Sequence, residues 1–428
     1  MLKRSFFSVS APRLQVEAVH TRLPVPSQIA APETITLLIE DQPVNGQALL
    51  VQPGDSVQTG QKIQLSAQSD AYAVATTAGT VKNIERFPGE SGKLFTAVTI
   101  TSAQDLSRDD SFATYCRKPS LQGAIDLLQC LPGNPDFKVF QVDADNPIQT
   151  IVINAMDQDL LIITAQYALN TFLSELKTGI QHLKTITGVE NVVVAAPKEI
   201  IQGFGDIGAS IISIDTGYPQ GLPHLVAQRV IGKEIPAQTD FKKLGLALLD
   251  VEAVISLGQS LKTQEMTKTK LLTFIDKQGN RSLVSATVGT PIGDIFKHFG
   301  LSLNDQDRII IGGPLNGFST FSGSFPVRPD TDAIMVQDKE DIAMASDYAC
   351  INCGDCVRIC PARIQVSLLI RYLEAGEYEE AADNHDLYAC IDCGLCSFVC
   401  VAKIPIYQSI KLAKYELERA TDGEAEDE

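Results

Sequence analysis

The sequence predicts a mixed α/β and α+β multidomain protein, and three observations carry that reading. Residues from about 35 to 103 alternate apolar and polar positions between Pro-Gly and Gly turns, as strands do. Residues from about 120 to 240 run from apolar strand to striped helix and back to strand through short joins, which argues for a parallel layer. Near the C-terminus, eight of the ten cysteines fall into two runs of identical spacing. A chain of 428 residues suggests about three domains at roughly 150 residues each. Its 44% hydrophobic content is enough to fill real cores.

The chain opens with Met1-Leu-Lys-Arg-Ser-Phe-Phe-Ser, basic with a short apolar stretch too brief for a signal-peptide core. The first acidic residue is Glu17, a transit-peptide trait, yet residues 1–34 are read as an arm packing on a partner or on the chain itself. In residues 35–105, Val51 to Ile63 reads as strand, Pro-Gly turn, strand, Gly turn, strand. Ala73 to Ile84 reads as a second hairpin turning at Ala78-Gly79. The pair resembles the flattened β-barrel of biotinyl and lipoyl carriers. Those carriers place a modified lysine at the second turn, and Ala75-Thr-Thr-Ala-Gly79 has none. A structural barrel is therefore expected, without a prosthetic group.

Residues 115–250 read as the α/β layer. Gln149 to Asn154 is a short buried strand, and Leu169 to Ile186 is a helix with Phe172, Leu173, Leu176, Ile180 and Leu183 on one face. Gly188 follows as a C-cap, then strands at Val192–Ala196 and Ile211–Ile214. A G-x-G-x-x-G occurs at Gly203-Phe-Gly-Asp-Ile-Gly208, but it leads into the strand at Ile211–Ile214 and does not open a helix after a strand, so a dinucleotide-binding claim has no support. Residues 265–335 read as a smaller α/β unit. Leu271–Ile275 and Arg281–Val284 flank a turn at Lys277–Asn280, Thr290-Pro291 enters a helix, and Arg308 begins a strand that ends in a glycine turn.

Residues 340–415 hold the cysteines. The first run is Cys350-x2-Cys353-x2-Cys356-x3-Cys360, followed by Pro361; the second is Cys390-x2-Cys393-x2-Cys396-x3-Cys400. A zinc ribbon needs two Cys-x-x-Cys pairs and has no use for two further cysteines at fixed offsets. A disulfide framework is disfavoured in a long chain without a secretion signal. The spacing matches the bacterial two-cluster ferredoxin pattern and predicts two [4Fe–4S] clusters. In that pattern the fourth cysteine serves the other cluster. Cys350, Cys353, Cys356 and Cys400 are thus expected to hold one, and Cys390, Cys393, Cys396 and Cys360 the second. Gly354 and Gly394 sit at matching places, where the chain must bend and direct N–H groups at sulfur. Val366 to Asp383 between the runs has helical spacing interrupted by Gly376. Residues 416–428 form an acidic tail, expected to be disordered over Asp422–Glu428.

The net charge of −17 argues against nucleic acid as a partner. No run of about 18 apolar residues exists, so no spanning helix is expected. Thiol-rich metal sites imply a reducing compartment, most simply the cytoplasm. Cys116 and Cys130 read as small buried apolar residues. His182, His298 and His385 read as structural or solvated, and no catalytic triad or hydrolase spacing appears.

Together these pieces resemble RnfC, the cytoplasmic subunit of Rnf-type membrane redox complexes, over residues of about 25 to 415. The barrel, the α/β layer, Tyr218-Pro-Gln-Gly221, Gly232-Lys-Glu-Ile-Pro236, Ile311-Gly-Gly-Pro-Leu-Asn-Gly317 and the two cysteine runs carry the likeness. The resemblance implies that residues 265–335 form a soluble-ligand-binding (SLBB-like) β-grasp unit and that the α/β layer is Rossmann-like. It also implies integral-membrane and other subunits as partners, a soluble or subunit-bound electron carrier, and a peripheral place on the cytoplasmic face of the membrane.

Members of that family bind FMN and NADH through a Gly-x-Gly-Gly-Ala-Gly-Phe-Pro loop, whose bare backbone can approach a phosphate. Here the aligned stretch is Leu128-Gln-Cys-Leu-Pro-Gly-Asn-Pro135, and its two prolines lack N–H donors. The family's Asn-x-x-Glu-Cys-Glu-Pro becomes Asn154-Ala-Met-Asp-Gln-Asp-Leu160, so Asp157 and Asp159 keep charge one methylene shorter. Leu222-Pro-His-Leu225 and Leu249-Asp-Val-Glu252 replace two further flavin-site elements. Four departures in one pocket favour loss of FMN and NADH. The expectation is an electron-transfer subunit relaying single electrons through two clusters, part of a larger oxidoreductase. The alternatives are an FMN-containing NADH-linked subunit and a scaffold whose clusters are not redox-active.

Overall fold

A computed structural model describes residues 2–3, 12–14, 23–41, 49–90, 93–103, 107–141, 143, 145–201, 204–346 and 348–427. At the N-terminus β1 (Leu2–Lys3) pairs antiparallel with β2 (Arg13–Leu14), and β3 (Ser27–Gln28) joins a sheet formed much later in the chain.

The barrel-sandwich is built from β4 (Thr34–Ile39), β5 (Ser56–Val57), β6 (Lys62–Gln64), β7 (Tyr72–Val74), β8 (Gly79–Pro88) and β9 (Leu94–Ser102). Strict alternation along β4 buries Ile35, Leu37 and Ile39, which meet Ile63, Leu65, Val98 and Ile100 inside. Each such side chain contributes about 1.5–3 kcal/mol by leaving water. The expected hairpin at Ala78-Gly79 does not form. β7 pairs with β6, whereas β8 pairs with β5 and β9. Gly79 is not a turn glycine: a Cβ there would overlap the carbonyl of Thr101, so glycine lets β8 and β9 close up.

Short helices α1 (Ser111–Arg117) and α2 (Leu121–Leu127) lead to the second layer. Its strands are β10 (Thr150–Asn154), β11 (Asn191–Pro197), β12 (Ser210–Ile214) and β13 (Leu246–Asp250), in the order β12-β11-β10-β13, all parallel. The single helix expected over Leu169–Ile186 is two, α3 (Thr164–Thr171) and α4 (Leu173–Thr187), broken at Phe172; Gly188 ends α4 in the left-handed conformation. Helix α5 (Pro223–Ile231) covers one face of the sheet through Val226 and Ala227, and α4 with α6 (Val251–Thr263) covers the other.

The third sheet has the order β17-β16-β18-β14-β15-β3, from β14 (Thr269–Ile275), β15 (Arg281–Thr287), β16 (Arg308–Ile311), β17 (Phe318–Thr320) and β18 (Ala333–Gln337). Helix α7 (Ile292–His298) packs Ile292, Ile295 and Phe296 against it.

The C-terminal domain is helical: α8 (Asp355–Ile359), α9 (Val366–Ala375), α10 (Tyr378–Asn384), α11 (Leu395–Val399) and α12 (Ile406–Asp427). Gly376, left-handed at φ +78°, separates α9 from α10 as the sequence suggests. Leu369, Ile370, Leu373, Ile410 and Ala413 form its core. The acidic tail departs from expectation, since the helical backbone of α12 continues through Asp427.

Candidate metal centres and the adjoining pocket

Each cysteine run wraps around one short helix, and the two backbones repeat each other. Asn352 and Asp392 are left-handed at φ 55° and 56°, Gly354 and Gly394 at 76° and 68°, and Arg363 and Lys403 at 57° and 59°. The repeat places α8 and α11 side by side, so that the end of each run falls beside the start of the other. Cys350, Cys353, Cys356 and Cys400 line one cavity of about 20 Å³, together with Ile351 and Val401. The Cys396 thiol lies in the field of Cys390, Cys393 and Cys360. The structure thus gathers the eight thiols as two fours, each borrowing the last cysteine of the other run. Among the described residues, no three His, Cys, Asp or Glu side chains converge tightly enough to hold a single ion. Burial pushes the Cys356 and Cys393 thiols up to about 11 and Cys390 up to about 12, and a bound cation would favour their thiolate forms.

The two centres have different surroundings. Around the second run, Lys414 Nζ donates to the Cys390 carbonyl and to Asp392 at 3.0 Å. Tyr218 Oη donates to the Cys393 carbonyl at 2.5 Å. Gly394 packs so closely on the loop after β16 that a Cβ would overlap the carbonyl of Leu315. At the first run, the counterpart of Asp392 is the neutral Asn352, which accepts from Arg371 Nη2 at 2.6 Å, and Cys353 is exposed. The second run is wedged against the α/β layer, and the first faces outward. Gly394→Ala is expected to lose the metal of the second run and keep that of the first. Left-handed backbone alone costs about 1–2 kcal/mol, and the added Cβ would meet the Leu315 backbone carbonyl and not a flexible side chain. Gly376→Ala, also left-handed but with open space around it, is the control and keeps both. Iron content and thermal melting of the two variants check this.

The loop Gly312–Gly317 joins the two regions. Asp159 accepts from Leu315 N at 3.1 Å, Asn316 N at 2.9 Å and Leu160 N at 2.6 Å; burial nonetheless pushes its carboxyl up to about 6. Asp157 accepts from Ala165 N at 2.9 Å and Gln166 Nε2 at 2.7 Å, and burial raises it to about 7. Both aspartates therefore serve internal partners. They border a pocket of about 370 Å³ between the C-terminal ends of the parallel strands and the second cysteine run, walled by Met156, Pro197, Thr216, Tyr218, Ile359 and Leu395. No Lys or Arg lines it among the described residues.

Beneath Asp157 the space shrinks to about 10 Å³ among Asp157, Asp250, Glu252 and Asp332. Lys270, 0% exposed on β14, ion-pairs with Glu252 and with Asp332 at 2.9 Å. Burial pushes Asp250 up to about 8. Asp250 caps α6 by accepting from Glu252 N at 2.8 Å. The 128–135 loop lies on the start of this helix. Gly133 N donates to the Pro329 carbonyl at 2.8 Å, and at φ +89° a Cβ would overlap the Ala253 backbone. Sequence reasoning missed the Lys270 cluster and the Tyr218–Cys393 bond. The one signal for the first is a lysine breaking into an otherwise apolar strand. His182 bonds Tyr115 Oη at 2.6 Å and His385 stacks on Tyr372, both structural contacts. Cys116 packs at the edge of the main core, and Cys130 donates to the Tyr72 carbonyl at 3.3 Å.

These features define an iron–sulfur protein of the dicluster class carried on a barrel-sandwich and α/β scaffold. Residues 343–401 match the 4Fe-4S dicluster domain, and residues 19–105 match the RnfC barrel sandwich hybrid domain. The chain is an RnfC-like protein. It is 31% identical over 296 residues to the C component of the ion-translocating oxidoreductase complex of Yersinia enterocolitica, covering 66% of this chain and 42% of that one. It is 25% identical to the C component of the Na(+)-translocating ferredoxin:NAD(+) oxidoreductase complex of Acetobacterium woodii, covering 78% and 80%. To the corresponding Yersinia pestis protein of the ion-translocating complex it is 27% identical, covering 96% and 68%. The chain thus spans about two fifths of the first of these relatives. No helix among the described residues is long and apolar enough to cross a membrane.

Proposed function

We propose that this chain relays single electrons as a peripheral subunit of an Rnf-type membrane redox complex, through two [4Fe–4S] clusters and without FMN or NADH of its own. Cys350, Cys353, Cys356 and Cys400 hold one cluster; Cys390, Cys393, Cys396 and Cys360 hold the other. The gathering of the eight thiols into two exchanged fours is the observation that carries this reading. A bound cubane takes up and gives up one electron with little rearrangement. The chain's own residues set its surroundings: Tyr218 and Lys414 fix the carbonyls of Cys393 and Cys390, and Arg371 fixes Asn352. The units are residues 35–105 (barrel), 115–250 (Rossmann-like layer), 265–335 (SLBB-like β-grasp) and 340–415 (two-cluster domain). Attachment is to membrane and other subunits on the cytoplasmic side, a reading supported by relatives that are themselves parts of ion-translocating complexes.

The α/β layer does not fit a flavin phosphate. Anion sites need free backbone N–H groups and positive charge. Here Gly133 N and the Glu252 N–H are taken by Pro329 and Asp250, and Pro132 and Pro135 have none. Four carboxyls converge at the small cavity, and the cation beside them, Lys270, is already paired. Acid extraction of flavin from anaerobically purified protein tests this. About eight irons with no flavin is the expected result. One FMN per eight irons overturns it and restores the NADH-linked reading.

A further inference from the structure

Most soluble surfaces carry their large apolar side chains singly. Four of this chain's exposed ones fall in the two short segments that flank the first cysteine run's cavity. Met344 is 81% exposed, Tyr348 80%, Ile351 65% and Val401 37%. Ile351 and Val401 line the mouth of the cavity formed by Cys350, Cys353, Cys356 and Cys400. Ser346 N donates to the Lys403 carbonyl at 3.0 Å, which ties Ser346 to the 401–403 turn. Two of the four exposed residues thus line the outward-facing centre, and the other two flank Ser346, whose backbone is tied to the turn that starts at Val401. At the place in the second run that matches Ile351, Ile391 is partly buried in a cluster with Leu222, Leu395 and Tyr218.

Charge narrows what covers the patch. Residues 343–401 carry nine acidic and three basic side chains, a net of −6. Two of the three basic ones are engaged, Arg358 with Asp355 and Arg371 with Asn352. An apolar patch on a domain of net negative charge suits a partner face that is apolar in the middle and carries basic side chains around it. A second copy of this acidic domain would meet it with like charge.

Resting on the relay reading, we infer that Met344, Tyr348, Ile351 and Val401 form the docking surface for a basic protein that carries a one-electron centre. On docking, one electron crosses between that centre and the first-run cluster; no bond forms and no proton moves. The acidic surroundings bring the partner in, and the apolar patch displaces water between the two centres.

The test uses full-length, iron-loaded protein and cytochrome c as a basic one-electron probe. Met344→Lys/Tyr348→Lys is compared with Val25→Lys/Phe321→Lys, which adds the same charge at exposed apolar sites next to β3 and β17, away from the cysteine runs. Neither pair touches a cysteine or a core. Co-sedimentation reads binding, and stopped-flow absorbance reads oxidation of the dithionite-reduced protein. The patch variant is expected to bind about tenfold more weakly and to react correspondingly more slowly. The control is expected to change less than about twofold, and salt is expected to weaken binding of the wild type. Equal losses in the two variants, or none in either, overturn the docking surface. So does a wild-type dimer that the patch variant converts to monomer, because a second copy then covers the patch. Patch-dependent binding by clusters that dithionite cannot reduce leaves the docking surface standing and defeats the relay reading instead.

Discussion

Cys360→Ala protein is expected to leave anaerobic purification with about four irons in place of about eight, and the four that remain are those of the first run. Cys360 stands at the end of the first run, so two autonomous runs would predict the opposite loss. The structure sets its thiol with Cys390, Cys393 and Cys396. Cys360→Ala and Cys396→Ala should therefore give the same electron paramagnetic resonance spectrum on reduction. Cys400→Ala and Cys356→Ala should share the other one. A spectrum of Cys360→Ala that instead matches Cys350→Ala would show that each run closes on itself. The effect is large because a cubane missing one thiolate loses charge compensation as well as a bond.

Lys270→Met has the second largest expected effect. Removing one partner of a buried ion pair costs about 3–5 kcal/mol, because the charges left behind remain unpaired. Here Glu252 and Asp332 lose their cation, and Asp250 and Asp157 stand close by. Burial raises Asp157 to about 7 and Asp250 to about 8. A carboxyl raised in the folded state holds a proton that the unfolded chain releases near pH 4. Stability from these groups is therefore greatest at low pH and is lost as pH climbs towards 8. The variant should melt far below wild type at pH 8 and much closer to it at pH 5.5, where Asp157 and Asp250 hold their protons and add no further negative charge beside the unpaired carboxylates. Thermal unfolding followed by circular dichroism at both pH values checks this. An equal deficit at both would mean that Lys270 acts through packing rather than charge.

What the sequence disclosed was set by local rules. The cysteine offsets follow from the size of a cube that three thiolates must grip from one loop, so they are readable without tertiary knowledge. The parallel layer was readable because short strand-helix-strand joins leave few topologies. Gly188 and Gly376 end helices as their positions suggest. The misses came from contacts between distant residues. Gly79 looks like a turn residue but serves the approach of Thr101. The break at Phe172 interrupts a stripe whose period continues across it. Asp157 and Asp159 border the pocket at the strand ends, but the partners that occupy them, Gln166, Leu315 and Asn316, have no local signature. Lys270 finds Glu252 across 18 residues and Asp332 across 62, beyond any periodicity.

The 312–317 loop has a consequence for how such chains can be recombined. Its amides are held by Asp159 of the α/β layer, while its Leu315 carbonyl lies against Gly394 beside the second cysteine run. The cysteine-rich end is thus not a cassette that can be exchanged at the linker near residue 340. A chimera joined there pairs a foreign second run with a loop shaped for this one. A crossover that carries residues 312–317 along must bring its own equivalent of Asp159 as well. Three stretches far apart in the chain must therefore be exchanged together if these contacts are to survive.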